Sequence, residues 1–203
     1  MILKKEASQT MKIAAYSYEE YVHLVKSFHG SLAPGLLIGG FIVDTALKNL
    51  PAGEFFDALC ETSVCLPDAV QLLTPCTIGN GWLKVCDLGR FAVTLYEKES
   101  GIGIRVFLDP EKLKAWPEFH AWFFKQKPKA EQDFGLLLNE IREAGASVLS
   151  MQQVRIKPDL MGKRRLGNTA VCPECGEAYP LRDGASCLGC QGHAPYVGLS
   201  SPV

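Results

Sequence analysis

The sequence has no apolar run long enough to cross a membrane. The longest candidate, Leu32 to Val43, is interrupted by one proline and three glycines and ends at Asp44, whereas a membrane-spanning helix needs about 20 mostly apolar residues. The first dozen residues also lack the apolar segment of a signal peptide. We therefore expect a cytoplasmic protein that does not associate with membranes.

The chain has no excess of either charge. Its 21 Lys and Arg residues nearly balance its 22 Asp and Glu residues, which leaves a net charge of −1 over 203 residues. This balance argues against a chain-wide field that would attract nucleic acid. A hydrophobic fraction of 47% is ordinary for a globular protein and argues against disorder.

Several motifs of nucleotide and redox chemistry are also missing. The sequence contains no P-loop, no G-x-G-x-x-G dinucleotide fingerprint and no cysteine run of the ferredoxin type. We see no internal repeat and no low-complexity segment. We therefore do not expect this chain to carry out redox chemistry alone.

The element pattern predicts an α+β fold in which a mixed or antiparallel sheet is flanked by helices. Ser17 and Glu20 form a capping-box signature before the first helix, and Pro34 suits the first turn of the second. The order of elements does not follow a regular βαβ repeat. Helices are predicted over 18–28, 34–50, 67–73, 111–125 with a break at Pro117, and 131–144, and strands over 55–64, 83–87, 91–97, 102–108 and 148–156.

The composition changes after the last predicted strand. A basic stretch that contains Pro158, Gly162 and a further glycine follows it, and this mixture is typical of a domain boundary. We therefore divide the chain into an α+β domain over 1–156, a basic linker over 157–167 and a small cysteine-rich unit over 168–203.

Four of the eight cysteines form one pattern in the last unit. Cys172 and Cys175 make one C-x2-C pair, and Cys187 and Cys190 make another eleven residues later. Two thiolates on a tight turn reach one ion, and two such turns complete a tetrahedron around zinc. About 30 residues cannot build a stable apolar core, so metal binding would supply the folding energy. The spacing predicts a structural zinc ribbon, with two disulfides or a rubredoxin-like iron site as alternatives.

Two further motifs lie in the α+β domain. The first, over 28–35, reads F-H-G-S-L-A-P-G, and the second, over 65–79, reads C-L-P-D-A-V-Q-L-L-T-P-C-T-I-G. With D-L-G-R at 87–90, they resemble the E-subunit family of molybdenum or tungsten formylmethanofuran dehydrogenase. That family has the patterns F-H-G-H-x-C-P-G and C-x-x-D-A-x-Q-x-x-T-G-C-T-x-G, and a terminal zinc ribbon accompanies them. The resemblance covers about residues 17–150 and implies an α+β core.

The chain departs from the family pattern at four positions. Ser31 replaces the second histidine of the first motif, and Ala33 replaces the cysteine before Pro-Gly. Pro75 replaces a glycine, and Asn80 replaces a lysine. Loss of a thiolate at a helix N-terminus removes a natural ligand of low pKa. Any metal site in the core therefore has fewer protein ligands than the family pattern offers.

The two motifs also contain a candidate second metal site. His29, Cys65 and Cys76 would hold a second zinc or another transition metal and leave an open fourth position, which catalysis requires. Alternatively, both cysteines are packing residues beside a satisfied histidine. Cys60 and Cys86 are predicted to be core residues of strands. Four more residues would line the candidate site, namely Asp68, Gln71, Thr77 and Arg90.

The resemblance implies a homodimeric, metal-binding protein that is accessory to a molybdenum or tungsten redox enzyme of one-carbon or formate-type chemistry. Two alternatives stay open. One is a stand-alone zinc enzyme that uses the open core site, with Asp68 as proton acceptor. The other is a zinc-ribbon regulatory or nucleic-acid-binding protein, whose phosphate contacts would come from Lys163, Arg164 and Arg165. The balanced charge and the lack of an aromatic and basic stripe count against nucleic acid.

Overall fold

The structure is a computed structural model that describes residues 11–51, 55–162 and 167–197. It divides the chain into two compact units, Met1–Gly162 and Lys163–Val203. The division falls inside the predicted linker, whose basic residues at 163–165 lie outside the described residues. No helix in the described part of the chain is long and apolar enough to span a membrane.

A five-stranded mixed sheet forms the centre of the first unit. A separate two-stranded hairpin precedes it in the chain, formed by β1 (Lys12–Ile13) and β2 (Tyr16–Ser17). The strands of the five-stranded sheet are β3 (Phe56–Cys60), β4 (Leu83–Val85), β5 (Ala92–Glu97), β6 (Ile102–Leu108) and β7 (Leu149–Arg155). The spatial order is β4-β3-β5-β6-β7. The β3–β4 pair is parallel and the other pairs are antiparallel. The predicted fold class, an α+β arrangement with a mixed sheet, is confirmed.

Six α-helices accompany this sheet in the described residues. They are α1 (Tyr18–His29), α2 (Pro34–Asn49), α3 (Leu66–Leu73), α4 (Pro110–Leu113), α5 (Pro117–Phe123) and α6 (Phe134–Ala144). The predicted capping box is present, because the Glu20 N–H donates to Ser17 Oγ (3.2 Å) and the Ser17 N–H donates to the Glu20 carboxylate (2.7 Å). Gly30 caps the C-terminal end of α1, and its φ of 77° is left-handed.

Several predicted elements are shorter in the structure. The strand predicted to reach residue 64 ends at Cys60, because the carbonyl of Glu61 accepts the N–H groups of Leu88 and Arg90 in a loop rather than a ladder. Strand β4 ends before Cys86, which is therefore half-buried in a loop, whereas Cys60 is fully buried as predicted. The last helix was predicted from residue 131 but starts at Phe134, because Asp133 is its N-cap.

Helix α2 lies at the centre of the core and is buried along most of its length. Its glycines allow neighbouring side chains to approach very closely. A Cβ built on Gly40 would lie 2.4 Å from the Tyr21 ring of α1, and one on Gly39 would lie 2.8 Å from the Cβ of Ala69 in α3. The Tyr21 hydroxyl donates to the carbonyl of Leu36 at 2.8 Å, which fastens α1 to α2. The glycines thus offset their poor helix propensity through packing.

The second unit is described by itself. It contains an antiparallel hairpin of β8 (Thr169–Val171) and β9 (Ala178–Pro180), with Thr169 opposite Pro180 and Val171 opposite Ala178. The segment after β8 carries the first cysteine pair, and the second pair follows a short helical turn over Leu181–Asp183.

We expect Gly40→Ala to lower the free energy of unfolding by about 1–3 kcal/mol, because the added methyl overpacks the Tyr21 ring. Urea denaturation of both proteins measures the difference. Gly135→Ala in α6 is the matched control, since its Cβ would meet only an Asp133 oxygen at 3.5 Å. We expect that control to be neutral or slightly stabilising. Equal stability of the two variants would contradict the packing account.

Candidate functional site

The four cysteines of the second unit already have the spacing of a zinc site. The Sγ atoms of Cys172 and Cys190 are 3.8 Å apart, and those of Cys175 and Cys187 are 3.7 Å apart. All four ligand atoms lie within 4.8 Å of one another. Four sulfurs bound tetrahedrally at about 2.3 Å from zinc would be separated by about 3.8 Å. The predicted ligand set therefore fits a closed tetrahedral zinc ion.

Backbone N–H groups donate hydrogen bonds to two of these sulfur atoms. The Cys187 N–H donates to Cys172 Sγ, and the Cys190 N–H donates to Cys187 Sγ, both at 3.4 Å. The N–H groups of Cys187 and Cys175 lower the pKa of the Cys172 thiol to about 6. A hydrogen bond with Cys187 and burial raise the pKa of Cys190. A zinc ion among the sulfurs would stabilise all four thiolates, so these residues would hold zinc as a structural element.

We expect one zinc ion per chain in the purified protein and none in a Cys187→Ser/Cys190→Ser variant, since two thiolates cannot hold structural zinc tightly. Elemental analysis with a protein assay measures this ratio. The matched control is Cys60→Ser/Cys86→Ser, which removes two cysteines that belong to no ligand cluster in the described residues. Two zinc ions in wild type, or retained zinc in the first variant, would contradict the assignment.

The first motif and the start of the second meet at the end of α1. His29 is the last residue of α1, and its Nδ1 lies 3.5 Å from Oδ2 of Asp68 in the first turn of α3. Both side chains are about one-third exposed, so the pair is open to a ligand. The structure therefore places Asp68 beside His29, and its role in lining a site stays a prediction.

Cys65 precedes α3 in an unusual backbone conformation. Its φ of 57° and ψ of −44° belong to a γ-turn, in which the Leu66 N–H donates to the Val64 carbonyl at 2.6 Å. Such a conformation costs of order 1–3 kcal/mol for a residue with a side chain and is concentrated at functional sites. A Cβ on Gly35 would lie 2.8 Å from Cys65 Sγ. The Pro-Gly step of the first motif thus leaves room for this thiol, a relation that the sequence analysis missed.

Cys76 lies at the opposite end of α3 from Cys65. The eight residues of α3 span about 12 Å, and the fully buried Cys76 thiol donates to the carbonyl of Phe56 (3.6 Å). Burial raises its pKa to about 11. Among the described residues, only the four ribbon cysteines bring three or more such ligand atoms within 4.8 Å. The structure does not bring the predicted ligands His29, Cys65 and Cys76 together, because a helix separates the two cysteines.

The other predicted lining residues lie elsewhere. Gln71 accepts the N–H of Ile78 (3.3 Å), and Thr77 accepts the N–H of Asn80 (3.0 Å), so both stabilise the loop after α3. Arg90 forms an ion pair with Glu61, with Nε 2.7 Å from Oε2. Sequence reasoning did not single out this glutamate, because its partners are distant in the chain.

A groove of about 730 Å³ opens beside His29. Its walls include the loop that leads into α2, two aromatic side chains and three lysines, namely Ser31, Leu32, Ala33, Pro34, Trp122, Phe134, Lys125, Lys127 and Lys129. The side-chain ammonium of Lys127 pairs with Glu118, which leaves the groove with a surplus of positive charge. The N-terminus of α2, which lacks a side-chain cap, adds to this field. The groove is therefore suited to a small anion.

Comparison with known proteins decides the family. A family model described as "FmdE, Molybdenum formylmethanofuran dehydrogenase operon" matches residues 28–157, and a model described as "FmdE treble clef zinc finger" matches residues 163–197. The first match alone covers more than half of the chain. The chain belongs to the FmdE family. The resemblance found in the sequence is confirmed, and the protein is an FmdE-like, metal-binding zinc-finger protein.

Two relatives show how far this similarity extends. A crystal structure of an FmdE-like protein from Syntrophus aciditrophicus, described by reference to tungsten formylmethanofuran dehydrogenase, is 55% identical and has a TM-score of 0.85, over 93% of this chain and 99% of that one. A probable S-adenosyl-L-methionine-binding protein of Archaeoglobus fulgidus is 28% identical over 82% of this chain. The chain spans about half the length of that curated relative.

The ionisation of Cys65 in the FmdE domain depends on its neighbours. Burial raises the pKa of this thiol above its ordinary value, the charge of Asp68 raises it further, and the charge of Lys125 lowers it. Because the thiolate is the reactive form, these two charges have opposite effects on its reactivity.

We expect Asp68→Asn to accelerate alkylation of Cys65 by iodoacetamide at pH 8, because loss of the carboxylate lowers the thiol pKa. Lys125→Gln should slow the same reaction, because loss of the ammonium raises that pKa. Mass spectrometry of the Cys65 peptide over time gives both rates, with Cys86 as an internal control. A change in the same direction in both variants would contradict the electrostatic account.

Proposed function

We propose that this FmdE-family protein is an accessory protein that binds a small one-carbon anion of the formate or formyl type and serves a molybdenum or tungsten oxidoreductase. The observation that carries the proposal is the cleft where His29, Asp68 and Cys65 meet the N-termini of α2 and α3. An imidazole and carboxylate pair can exchange a proton with a bound ligand. A helix N-terminus together with Lys125 favours a negative charge on that ligand.

The arrangement supports an accessory role over a stand-alone zinc enzyme. The enzyme considered from the sequence needed His29, Cys65 and Cys76 around one ion, and the described residues do not form that group. The ribbon site is filled by four protein thiolates, so a zinc ion there would have no open position for a substrate. Ligand binding in the cleft, with electron transfer by a partner enzyme, is consistent with both features.

The ribbon unit provides a surface for that partner. It carries several exposed apolar side chains for its size, namely Val171, Leu181, Leu188, Tyr196 and Val197. Exposed apolar groups on a small unit favour a protein interface. The Syntrophus aciditrophicus relative is described by reference to tungsten formylmethanofuran dehydrogenase, which supports an oxidoreductase of this class as the partner. We also retain the homodimer that the resemblance implies.

Capture of the tagged full-length chain from its source organism, after mild cross-linking, tests the proposal. We expect a molybdenum or tungsten oxidoreductase to be identified in the captured material. Its molybdenum or tungsten should be present at a constant ratio to that enzyme. We expect the Cys187→Ser/Cys190→Ser variant to lose the partner, because a ribbon without zinc should unfold, whereas Cys60→Ser/Cys86→Ser should retain it. Recovery of the wild-type chain without any such oxidoreductase would overturn the accessory role.

A further inference from the structure

A pair of arginines lies on a face of the sheet that the proposed function does not use. Side chains alternate along β6, so Val106 and Leu108 enter the core while Arg105 and Phe107 face the other side. Arg90, in the loop before β5, reaches the same place. The groove beside His29 is lined by none of these residues.

One buried carboxylate holds both arginines. Arg105 donates two hydrogen bonds to the Glu61 carboxylate, from Nε to Oε1 at 2.5 Å and from Nη2 to Oε2 at 2.8 Å. Arg90 forms an ion pair with the same carboxylate, with its Nε 2.7 Å from Oε2. These two guanidinium groups lower the pKa of Glu61, with the Arg105 hydrogen bonds as the largest cause. Glu61 therefore stays ionised at neutral pH, and the trio has a net charge of +1.

Arg90 is the member of the trio that faces solvent. Its side chain is 59% exposed, against 14% for Arg105. Within the described residues, its ion pair with Glu61 uses Nε, and no acceptor is found for its terminal nitrogens. The carbonyl of Glu61 also accepts the Arg90 N–H at 3.2 Å, which anchors the residue at its backbone. The site thus offers a positioned guanidinium fork, which matches a carboxylate in geometry.

An aromatic pocket adjoins this guanidinium pair. It has a volume of about 360 Å³, within the range of small-molecule sites, and is lined by Phe91, Phe107 and Phe123 together with Arg90 and Arg105. The Phe91 and Phe123 rings meet edge to face, with centroids 6.2 Å apart, and Arg105 Cζ lies 4.8 Å from the Phe107 ring centre. All three rings are half-buried, so their faces and edges can pack on a flat apolar body.

A second cavity, which is also lined by Arg90 and Arg105, strengthens the positive field. It measures about 510 Å³ and has Arg155 and Lys157 among its lining residues, with Glu61 as its only acidic one among those described. An incoming anion therefore meets a surplus of positive charge around the arginine pair. A neutral ligand would gain nothing from this field, and an inorganic anion would leave the aromatic walls exposed to water.

We propose that this pocket binds an aromatic monocarboxylate, whose carboxylate accepts from the terminal nitrogens of Arg90 and whose ring packs among Phe91, Phe107 and Phe123. The net charge of +1 on the trio matches a single negative charge. The binding requires no partner enzyme and no reaction at the His29 cleft, so it goes beyond the proposed accessory function.

Isothermal titration calorimetry of the zinc-loaded, full-length chain with benzoate tests this proposal. We expect saturable binding of benzoate and at least about tenfold weaker binding of benzyl alcohol, which lacks the charge that the arginines recognise. Inorganic phosphate should be similarly weaker, because it lacks the ring. Saturable binding of phosphate as tight as that of benzoate would overturn the proposal and leave a generic anion site. Absence of saturable benzoate binding would overturn it outright.

Variants locate the binding in the pocket. Arg90→Gln should raise the Kd for benzoate about tenfold, through loss of charge-assisted hydrogen bonds, and Arg90→Lys should recover part of the affinity by restoring the charge without the fork. The matched control is Arg142→Gln, which removes another exposed, singly paired arginine outside the pocket and should leave the Kd unchanged. Circular dichroism confirms that each variant is folded. An unchanged Kd in Arg90→Gln would overturn the proposal.

Amide chemical shifts in the full-length chain distinguish this pocket from the His29 cleft. We expect benzoate to perturb the resonances of Gly89 and Phe107 and to leave those of His29 and Asp68 unchanged. Perturbation centred on His29 would place the anion in the cleft and overturn the pocket assignment. Because no oxidoreductase enters these experiments, their failure leaves the accessory role intact, and failure of the capture experiment leaves this pocket intact.

Discussion

The close approach of α1 and α3 to α2 is the contact on which the arrangement of the core depends. Gly40 leaves space for the Tyr21 ring, Gly39 for the methyl of Ala69, and Gly35 for the thiol of Cys65. With side chains at these positions, the three helices would have to move apart. Their contact brings the end of α1 to the start of α3, and the cleft forms there. Packing in the core and the geometry of the cleft therefore have one cause.

The ribbon site and the cleft of the FmdE domain differ in how they are built. The ribbon collects its four sulfurs within a short segment, so its assembly depends on metal binding rather than on an apolar core. The cleft combines His29 from the end of α1 with Cys65 and Asp68 from the start of α3, and the helix core holds them in place. Loss of zinc should therefore affect the ribbon first, while mutations along α2 should affect the cleft.

The sequence was sufficient where the information is local. Capping at Ser17, the start of α2 at Pro34 and the C-x2-C pairs could all be predicted, because each depends on residues a few positions apart. The sequence was insufficient where a site depends on residues that only the three-dimensional fold brings together or separates. Cys65 and Cys76 belong to one motif, but the rigid length of α3 separates them, and no spacing rule reveals on which side each thiol lies. The pairing of residues 61 and 105 arises only from strand order.

The central claim is that zinc serves only as a closed structural ion and that the cleft is assembled by helix packing. X-ray absorption at the zinc edge of the full-length protein tests this claim most directly. The account predicts a single shell of four sulfur neighbours at about 2.3 Å from zinc. A contribution from nitrogen or oxygen at about 2.0–2.1 Å would contradict it. That result would place zinc on a residue such as His29 and would assign metal chemistry to the core.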